Sequence, residues 1–223
     1  MDQWMMMTMM LLLGAASGWA LRPYTAWIVT LRSGGSLAIR REAPSALVAA
    51  APLVGGIGWA LCWALVPSHL EAMELALLLT ATLALTAIDL RIRVIPNELV
   101  MALLLVSAAF ALMEHGIAAL PLRLLGMAAA LVLFLGTALM GLSKIGGGDI
   151  KLAMAIGFAA GWPNILVAVT AMGVAALASR LWDSQPWSLR LKTQLPFAGF
   201  LMIGLLAALV LDKARLLAPL LGS

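Results

Sequence analysis

Long apolar runs follow one another along almost the whole sequence, and they limit what the chain can fold into more than any other feature. A bilayer core about 30 Å thick needs roughly 20 apolar residues for each helix that crosses it. At 64% hydrophobic and 11% charged residues, the chain is far more apolar than an ordinary soluble domain. Seven runs stand out: Trp4 to Leu21, Ser45 to Val66, Glu71 to Ile88, Asn97 to Met113, Leu122 to Leu142, Pro163 to Leu181 and Pro196 to Leu211. The sequence therefore predicts one all-α, membrane-embedded domain over residues 1–223.

The basic residues predict how the chain is threaded through the membrane, because short cytoplasmic loops collect Lys and Arg. With the N-terminus outside, the first three inner loops hold Arg22, Arg32, Arg40, Arg41, Arg91, Arg93, Lys144 and Lys151. The outer loops hold Glu71, Glu74, Glu114 and His115, with Arg123 as a lone cation.

A seven-helix bundle breaks this pattern, because it puts Arg180, Arg190 and Lys192 outside. An eighth crossing restores the pattern. The apolar stretch left for it is Ile150 to Gly161, which as a helix is only about 18 Å long. We therefore predict about eight transmembrane helices, one of them short and recessed.

Charge, cysteine content and the first residues exclude other classes. The net charge of +4 comes from basic residues spread over short loops, so no nucleic-acid partner is expected. Cys62 is the single cysteine and is interpreted as a packing residue, which excludes an internal disulfide and a cysteine-built metal site. No basic residue precedes the first apolar run, so we interpret it as a span rather than a cleaved signal peptide.

Two aspartates stand out among the acidic residues, because each lies against a helix end on the predicted inner side. Asp89 ends the third span, and Pro96 with Asn97 opens the fourth, as is typical of proline in a first helical turn. Asp149 follows Gly146, Gly147 and Gly148 and precedes the recessed helix. Glycines permit positive φ and close backbone approach, which suits a reactive turn.

Each aspartate alone also has a structural interpretation. Asp149 is in position to be an N-cap, where the helix dipole favours a carboxylate. Asp89 can be an interfacial charge balanced by Arg91 or Arg93. Two such residues on one face favour function instead, because ionisable groups near hydrocarbon are costly. If they converge, repulsion makes the pair hold one proton, so that one carboxylate deprotonates water while the other polarises a carbonyl.

Other polar residues give weaker signals. Glu98 is either a contact for a cationic substrate or an ordinary helix-start acid, and Lys151 either tunes the charge of Asp149 or extends to the membrane surface. Both histidines, His69 and His115, fall on the outer side, which argues against serine catalysis and a histidine metal site.

At these motifs the sequence resembles the type IV prepilin peptidases, a bacterial inner-membrane family of GxGD aspartic proteases. Gly146-Gly147-Gly148-Asp149 matches GxGD and is followed by Ile150-Lys151-Leu152, and Asp89 stands at the family's usual distance from Ile95-Pro96-Asn97. Weaker likeness extends to Ser36–Pro44 and Leu195–Gly199.

The resemblance implies a catalytic pair, Asp89 and Asp149, supported by Gly146, Gly147, Gly148, Lys151, Pro96 and Asn97. It also implies that the protein cleaves the basic leader of type IV prepilins or pseudopilins after a glycine, at the cytoplasmic face, in pilus assembly or protein secretion. Neither metal nor organic cofactor is implied. The partners are these precursors and membrane lipid.

One departure concerns a second activity. Larger family members carry paired Cys-x-x-Cys motifs in the first inner loop and also methylate the new N-terminus, whereas Arg22 to Pro44 has no cysteine here. The short form is therefore expected to be a peptidase without methyltransferase activity. Two alternatives remain: an ion-coupled transporter carrying ions along Asp89 and Asp149, and a noncatalytic secretion subunit. The particular precursor, its secretion system, the oligomeric state and the protonated aspartate are not specified by the sequence.

Overall fold

The structure, a computed structural model, describes residues 3–32, 46–140, 146–182 and 197–213. Within these residues the fold is all-helical, as predicted. The eight α-helices are α1 (Gln3–Arg32), α2 (Ala46–Leu65), α3 (His69–Ile92), α4 (Asn97–His115), α5 (Leu120–Leu139), α6 (Gly147–Ala160), α7 (Asn164–Trp182) and α8 (Phe197–Lys213). A single 3₁₀ turn, Gly116–Ala119, joins α4 to α5.

The helices are apolar enough for a multi-pass membrane protein. Four described stretches have the length and composition to cross a bilayer: Trp4–Arg32, Leu47–Leu65, His69–Ile92 and Asn97–Leu139, the last of which contains both α4 and α5. Helices α7 and α8 are shorter apolar segments. Helix α6 has 14 residues and is therefore about 21 Å long. The number of crossings and the side on which the N-terminus lies stay predictions.

Helix α3 lies at the centre of the bundle and packs against α1, α2, α4 and α8. Its buried side chains include Leu75, Leu78, Leu85 and Ile88, each at most 1% exposed. Because α3 is surrounded by other helices, its polar residues are removed from lipid, and this includes Asp89 in its last turns.

Small residues set the closest helix contacts. A side chain at Gly18 of α1 would collide with the backbone of Ala51 in α2, and one at Gly126 of α5 would collide with the carbonyl of Gly157 in α6. Gly204 of α8 meets Ala168 of α7 in the same way. Lipid tails are as apolar as leucine, so close backbone contact of this kind is a main source of helix association in membranes.

The first helix is longer than predicted, so Arg22 and Arg32 lie in a helix and not in a loop, and the side of the membrane on which they lie stays a prediction. Helix α1 continues through Pro23 to Arg32. Arg22 lies along α2 and donates from Nη2 to the carbonyl oxygen of Ala49 at 2.7 Å. This hydrogen bond to the first turn of α2 gives the charged group a polar partner, so Arg22 can lie in the middle of a long apolar helix. The predictions for Arg40, Arg41, Lys144, Arg190 and Lys192 concern residues outside the described ranges.

Glu74 is also misplaced by the sequence, because it lies within α3 and is fully buried rather than in an outer loop. Its Oε1 is 3.8 Å from Nη1 of Arg123. Arg123 also donates to the carbonyl oxygens of Phe158 and Ala159, which end α6. The lone cation of the predicted outer side therefore neutralises a buried acid and caps the C-terminal end of a helix.

Candidate active site

Asp89 lies in the last turns of α3, which runs on to Ile92 instead of ending at the aspartate as predicted. The residue is 6% exposed. Its Oδ2 accepts a hydrogen bond from the backbone N–H of Ala198 at 3.2 Å. Ala198 is in the first turn of α8, so a buried amide at the N-terminal end of one helix holds the carboxylate of another. The orientation of Asp89 thus depends on two elements.

A four-residue connection leads from α3 to α4. Arg93 ends α3 in the left-handed conformation, with φ 51°, and its N–H donates to the carbonyl of Asp89. Pro96 precedes α4 as its N-cap, and Asn97 is the first helical residue, close to the predicted start. Because the connection is short, the chain reverses direction and the first turn of α4 lies near the last turns of α3, which contain Asp89.

Asp149 is the third residue of α6, a short helix that packs against α4 and α8. Its Oδ2 accepts a hydrogen bond from the backbone N–H of Gly146 at 3.0 Å. Asp149 is therefore not the N-cap, which is Gly146; as the third helical residue, its carboxylate accepts from the backbone N–H of that cap. The side chain is half-buried, in contrast to that of Asp89.

The three glycines before Asp149 have ordinary backbone conformations without positive φ. Gly146 is extended, with φ −75° and ψ 154°, and the next two glycines form the first turn of α6. Ordinary helical φ suffices there. A Cβ on Gly147 would have no heavy atom within 4 Å, and one on Gly148 would lie 3.5 Å from Cβ of Ile95. The three glycines leave the backbone next to Asp149 without side chains, close to Ile95 in the connection between α3 and α4.

Two polar contacts link neighbouring helices at this end of the bundle. Nζ of Lys151 is 3.5 Å from Oδ1 of Asn97, which joins α6 to α4. Nη2 of Arg32, at the end of α1, is 2.7 Å from Oε1 of Glu98 in the first turn of α4. The contact with Arg32 gives Glu98 a structural partner within the chain.

The two aspartates interact electrostatically. The negative charge of Asp149 acts on Asp89, and the positive charge of Arg93 acts on it in the opposite sense. Charges inside a protein are screened less than charges in water, so the two carboxylates act on each other across this end of the bundle. The sequence-predicted residues Asp89, Pro96, Asn97, Gly146–Asp149 and Lys151 therefore belong to one end of the bundle.

Sequence reasoning missed two members of this region. The donor at Ala198 is a backbone N–H, which no side chain in the sequence reveals. It lies in Leu195–Gly199, the stretch that weakly resembles a family turn. Residues 195 and 196 of that stretch, like 36–44, lie outside the described residues. Arg32 had been assigned to a loop.

A second cluster lies at the other end of α3 and α4. One ligand atom from each of Glu71, Glu114 and His115 lies within 4.8 Å of the other two, so the group could hold a metal ion. It is separated from Asp89 by most of the length of α3 and takes no part in the aspartate arrangement.

Comparison with known proteins agrees with the sequence resemblance. Residues 76–181, a little under half of the chain, match the model of the type IV leader peptidase family. The matched segment runs from α3 to α7 and contains both aspartates and all the residues between them. No curated protein and no solved structure matches the chain significantly. Residues 76–181 of this multi-pass membrane protein are therefore similar to the type IV leader peptidases, which indicates a protease of that kind.

Proposed function

We propose that the protein is an aspartic endopeptidase of the bacterial inner membrane that removes the basic leader peptide of type IV prepilins or pseudopilins. The observation that supports this proposal is that Asp89 and Asp149 lie at the same end of the bundle, where the charge of Asp149 acts on Asp89. The whole chain is proposed to form a single peptidase domain around this pair.

The proposed reaction uses the two carboxyl groups as a general acid and a general base. One carboxylate accepts a proton from a water molecule, whose oxygen forms a bond to the scissile carbonyl carbon. The other carboxyl group, protonated, donates its proton to the carbonyl oxygen, which gives a neutral diol. When the C–N bond breaks, a proton passes to the leaving nitrogen and a new carboxyl and amine terminus remain. All atoms come from water, the peptide and the two aspartates.

The helix ends around the pair suit an extended peptide. Ala198 N–H fixes Asp89 and Gly146 N–H fixes Asp149, so each carboxyl group is held before substrate arrives. Bare backbone at Gly147 leaves room beside Asp149 for a peptide chain. Preorganised geometry of this kind lowers the barrier, because little reorientation is needed during reaction.

We place this end of the bundle in the cytoplasm. Arg32 ends α1, Arg91 and Arg93 end α3, and Lys151 lies in the first turns of α6. Basic residues at one set of helix ends favour the cytoplasmic side. Prepilin leaders are basic and remain on that side, so the proposed substrate and the proposed site coincide. Methyl transfer is not part of the proposal, since Arg22 to Pro44 lacks cysteine.

Separate Asp89→Asn and Asp149→Asn variants test the proposal on a prepilin encoded by the same genome, with purified protein in detergent. Asparagine keeps the size of the side chain but neither takes up nor releases a proton. Each variant should lose leader cleavage by at least about 100-fold, the usual contribution of a general acid or base.

Glu71→Gln is the matched control, because it removes a carboxylate at the opposite end of α3. Its activity should stay close to that of the unchanged protein. Full cleavage by either aspartate variant at unchanged protein abundance would rule out the two-carboxylate mechanism, and an ion-transporter or structural role would then fit better.

A further inference from the structure

A cavity of about 360 Å³ opens at the end of the bundle opposite the aspartates. It lies where α4 and α6 end, where α5 and α7 begin, and beside the C-terminal turns of α8. Its polar lining residues are His115, Arg123, Asn164 and Asp212. The volume lies within the range of small-ligand pockets.

Arg123 provides a cationic side to this cavity. Its hydrogen bonds to Phe158 and Ala159 and its contact with Glu74 all use Nη1. A guanidinium group carries donors on Nε and Nη2 as well, in a planar arrangement that matches the oxygens of a phosphate. The arginine is already held in place by α6, so little side-chain freedom is lost when an anion binds.

Asn164 and Asp212 provide the opposite chemistry. Asn164 is 8% exposed, and its Oδ1 has no hydrogen-bond partner in the part of the chain that the structure describes. A buried acceptor without a donor is unfavourable, so a ligand that brings an N–H group would stabilise it. Asp212, an exposed acid on the same cavity, adds a negative charge. Together they suit a small cation with N–H donors.

The position of the cavity fits the headgroup layer of a membrane. Trp162, which is 38% exposed, and Leu122, which is 54% exposed, lie at its lining. Tryptophan prefers the depth at which lipid headgroups meet the hydrocarbon core. The cavity is thus open where lipid headgroups lie.

We propose that this cavity binds the headgroup of a phospholipid that carries a phosphate and a primary ammonium group. The phosphate contacts Arg123, and the ammonium group donates to Oδ1 of Asn164 and to the carboxylate of Asp212. The proposal rests on residues remote from the aspartates and does not depend on the peptidase function.

The proposed contacts predict that three common lipid headgroups bind with different affinities. Phosphatidylethanolamine has both the phosphate and the N–H donors. Phosphatidylcholine keeps the positive charge but has no N–H for Oδ1 of Asn164. Phosphatidylglycerol has hydroxyl donors but no cation for Asp212.

The test measures binding of each of these lipids, with identical acyl chains, to the full chain in detergent by native mass spectrometry and by thermal melting. One phosphatidylethanolamine should bind per chain, saturably and at least about tenfold more tightly than either other lipid, as expected for the loss of a charge-assisted hydrogen bond. Free phosphoethanolamine is included as a soluble probe with the same charged groups.

Two variants assign the effect to the cavity. Asp212→Asn should lower the affinity for phosphatidylethanolamine to that for phosphatidylglycerol, and Asn164→Ala should remove the preference over phosphatidylcholine. Glu98→Gln, which neutralises an exposed acid at the other end of the bundle, is the control and should keep both preferences.

Equal binding of the three lipids to the unchanged protein would overturn the proposal. So would an unaltered preference in folded Asp212→Asn and Asn164→Ala proteins. Tight binding of free phosphoethanolamine with no gain from the acyl chains would show a site for a soluble ligand and would also overturn it.

Discussion

At the scale of single residues, the two aspartates are held in different ways. Asp89 is buried and receives its N–H from another helix, whereas Asp149 is half-buried and receives its N–H from the residue that precedes its own helix. In each case Oδ2 accepts the hydrogen bond from the backbone N–H, which orients the carboxyl group. Reactivity should therefore depend on position as well as on charge.

Lengthening one carboxylate tests this dependence. Asp149→Glu keeps the charge but moves the carboxyl group outward by one methylene, away from its place beside Gly146 and Asp89. A displacement of about 1 Å costs on the order of 100-fold in rate, so kcat/KM for leader cleavage should fall by about that factor. Glu71→Asp, a carboxylate change at the opposite end of α3, should leave kcat/KM unaltered; unimpaired cleavage by Asp149→Glu would show that charge alone suffices.

The aspartates themselves could be predicted from sequence because their signals are local. Asp89 and Asp149 each lie at a helix end within a few residues of proline or glycine. The donor to Asp89 could not be predicted, because Ala198 is 109 residues away and contributes only a backbone N–H. The sequence indicates a capping role for Asp149, but the N-cap is Gly146, because α6 begins at Gly147 and not at Ile150 as predicted.

At the scale of helices, α6 is positioned mainly by its contact with α5. Gly126 and Gly157 are both buried, and each carbonyl oxygen lies where a side chain on the other glycine would be. Trp162 also donates its N–H to the carbonyl of Leu122 at 3.0 Å, just beyond the end of α6. Because Asp149 is in the first turn of α6, any shift of this helix moves the carboxylate.

Gly126→Ala should therefore destabilise the protein and weaken cleavage together. Overpacking of a tight contact costs about 1–3 kcal/mol, since the new methyl group must displace the backbone of α6. The melting temperature in detergent and the cleavage rate measure both effects.

Gly136→Ala, on the same helix, is the matched control, because a Cβ there has no heavy atom within 4 Å. Alanine is the better helix former by about 0.5–1 kcal/mol, so this variant should be as stable as the unchanged protein or slightly more stable. Equal melting temperatures for the two alanine variants would contradict the close α5–α6 contact.

The start of α4 at Asn97 was predictable from the preceding proline. Other helix boundaries differ from the prediction where a charged residue finds a partner inside the bundle. Arg22 ended the first predicted span, yet it bonds to α2 within a continuous α1. Glu74 was assigned to a loop, yet it faces Arg123 in the interior. A hydropathy scale assumes that a charged side chain in a span would face lipid, whereas these side chains make polar contacts with other helices.

At the scale of the whole molecule, the two ends of the bundle differ in chemistry. One end carries the aspartates with Arg32, Arg93 and Lys151 around them, and the other carries the 3₁₀ turn and the cavity at Arg123. The sequence predicts about eight crossings, and four described stretches have the length and composition to cross a bilayer. The eighth, recessed crossing by α6 and the direction of the N-terminus remain predictions.

Labelling of introduced cysteines tests the orientation. In a Cys62→Ala background, Ile117→Cys places an exposed thiol in the 3₁₀ turn, and Val94→Cys places one beside the aspartate end. A membrane-impermeant maleimide applied to intact spheroplasts should label the first and not the second, since the aspartate end is predicted to face the cytoplasm. The reverse pattern would place the aspartates outside.

The proposed convergence of Asp89 and Asp149 can be tested directly by cross-linking. With Cys62→Ala, the pair Asp89→Cys and Asp149→Cys should be joined by a short bifunctional thiol reagent in the purified, folded protein. The control pair Asp149→Cys and Glu71→Cys, on opposite ends of the bundle, should not be joined. Efficient cross-linking of the first pair alone supports a shared two-carboxylate site, and failure of that pair with both thiols reactive would contradict it.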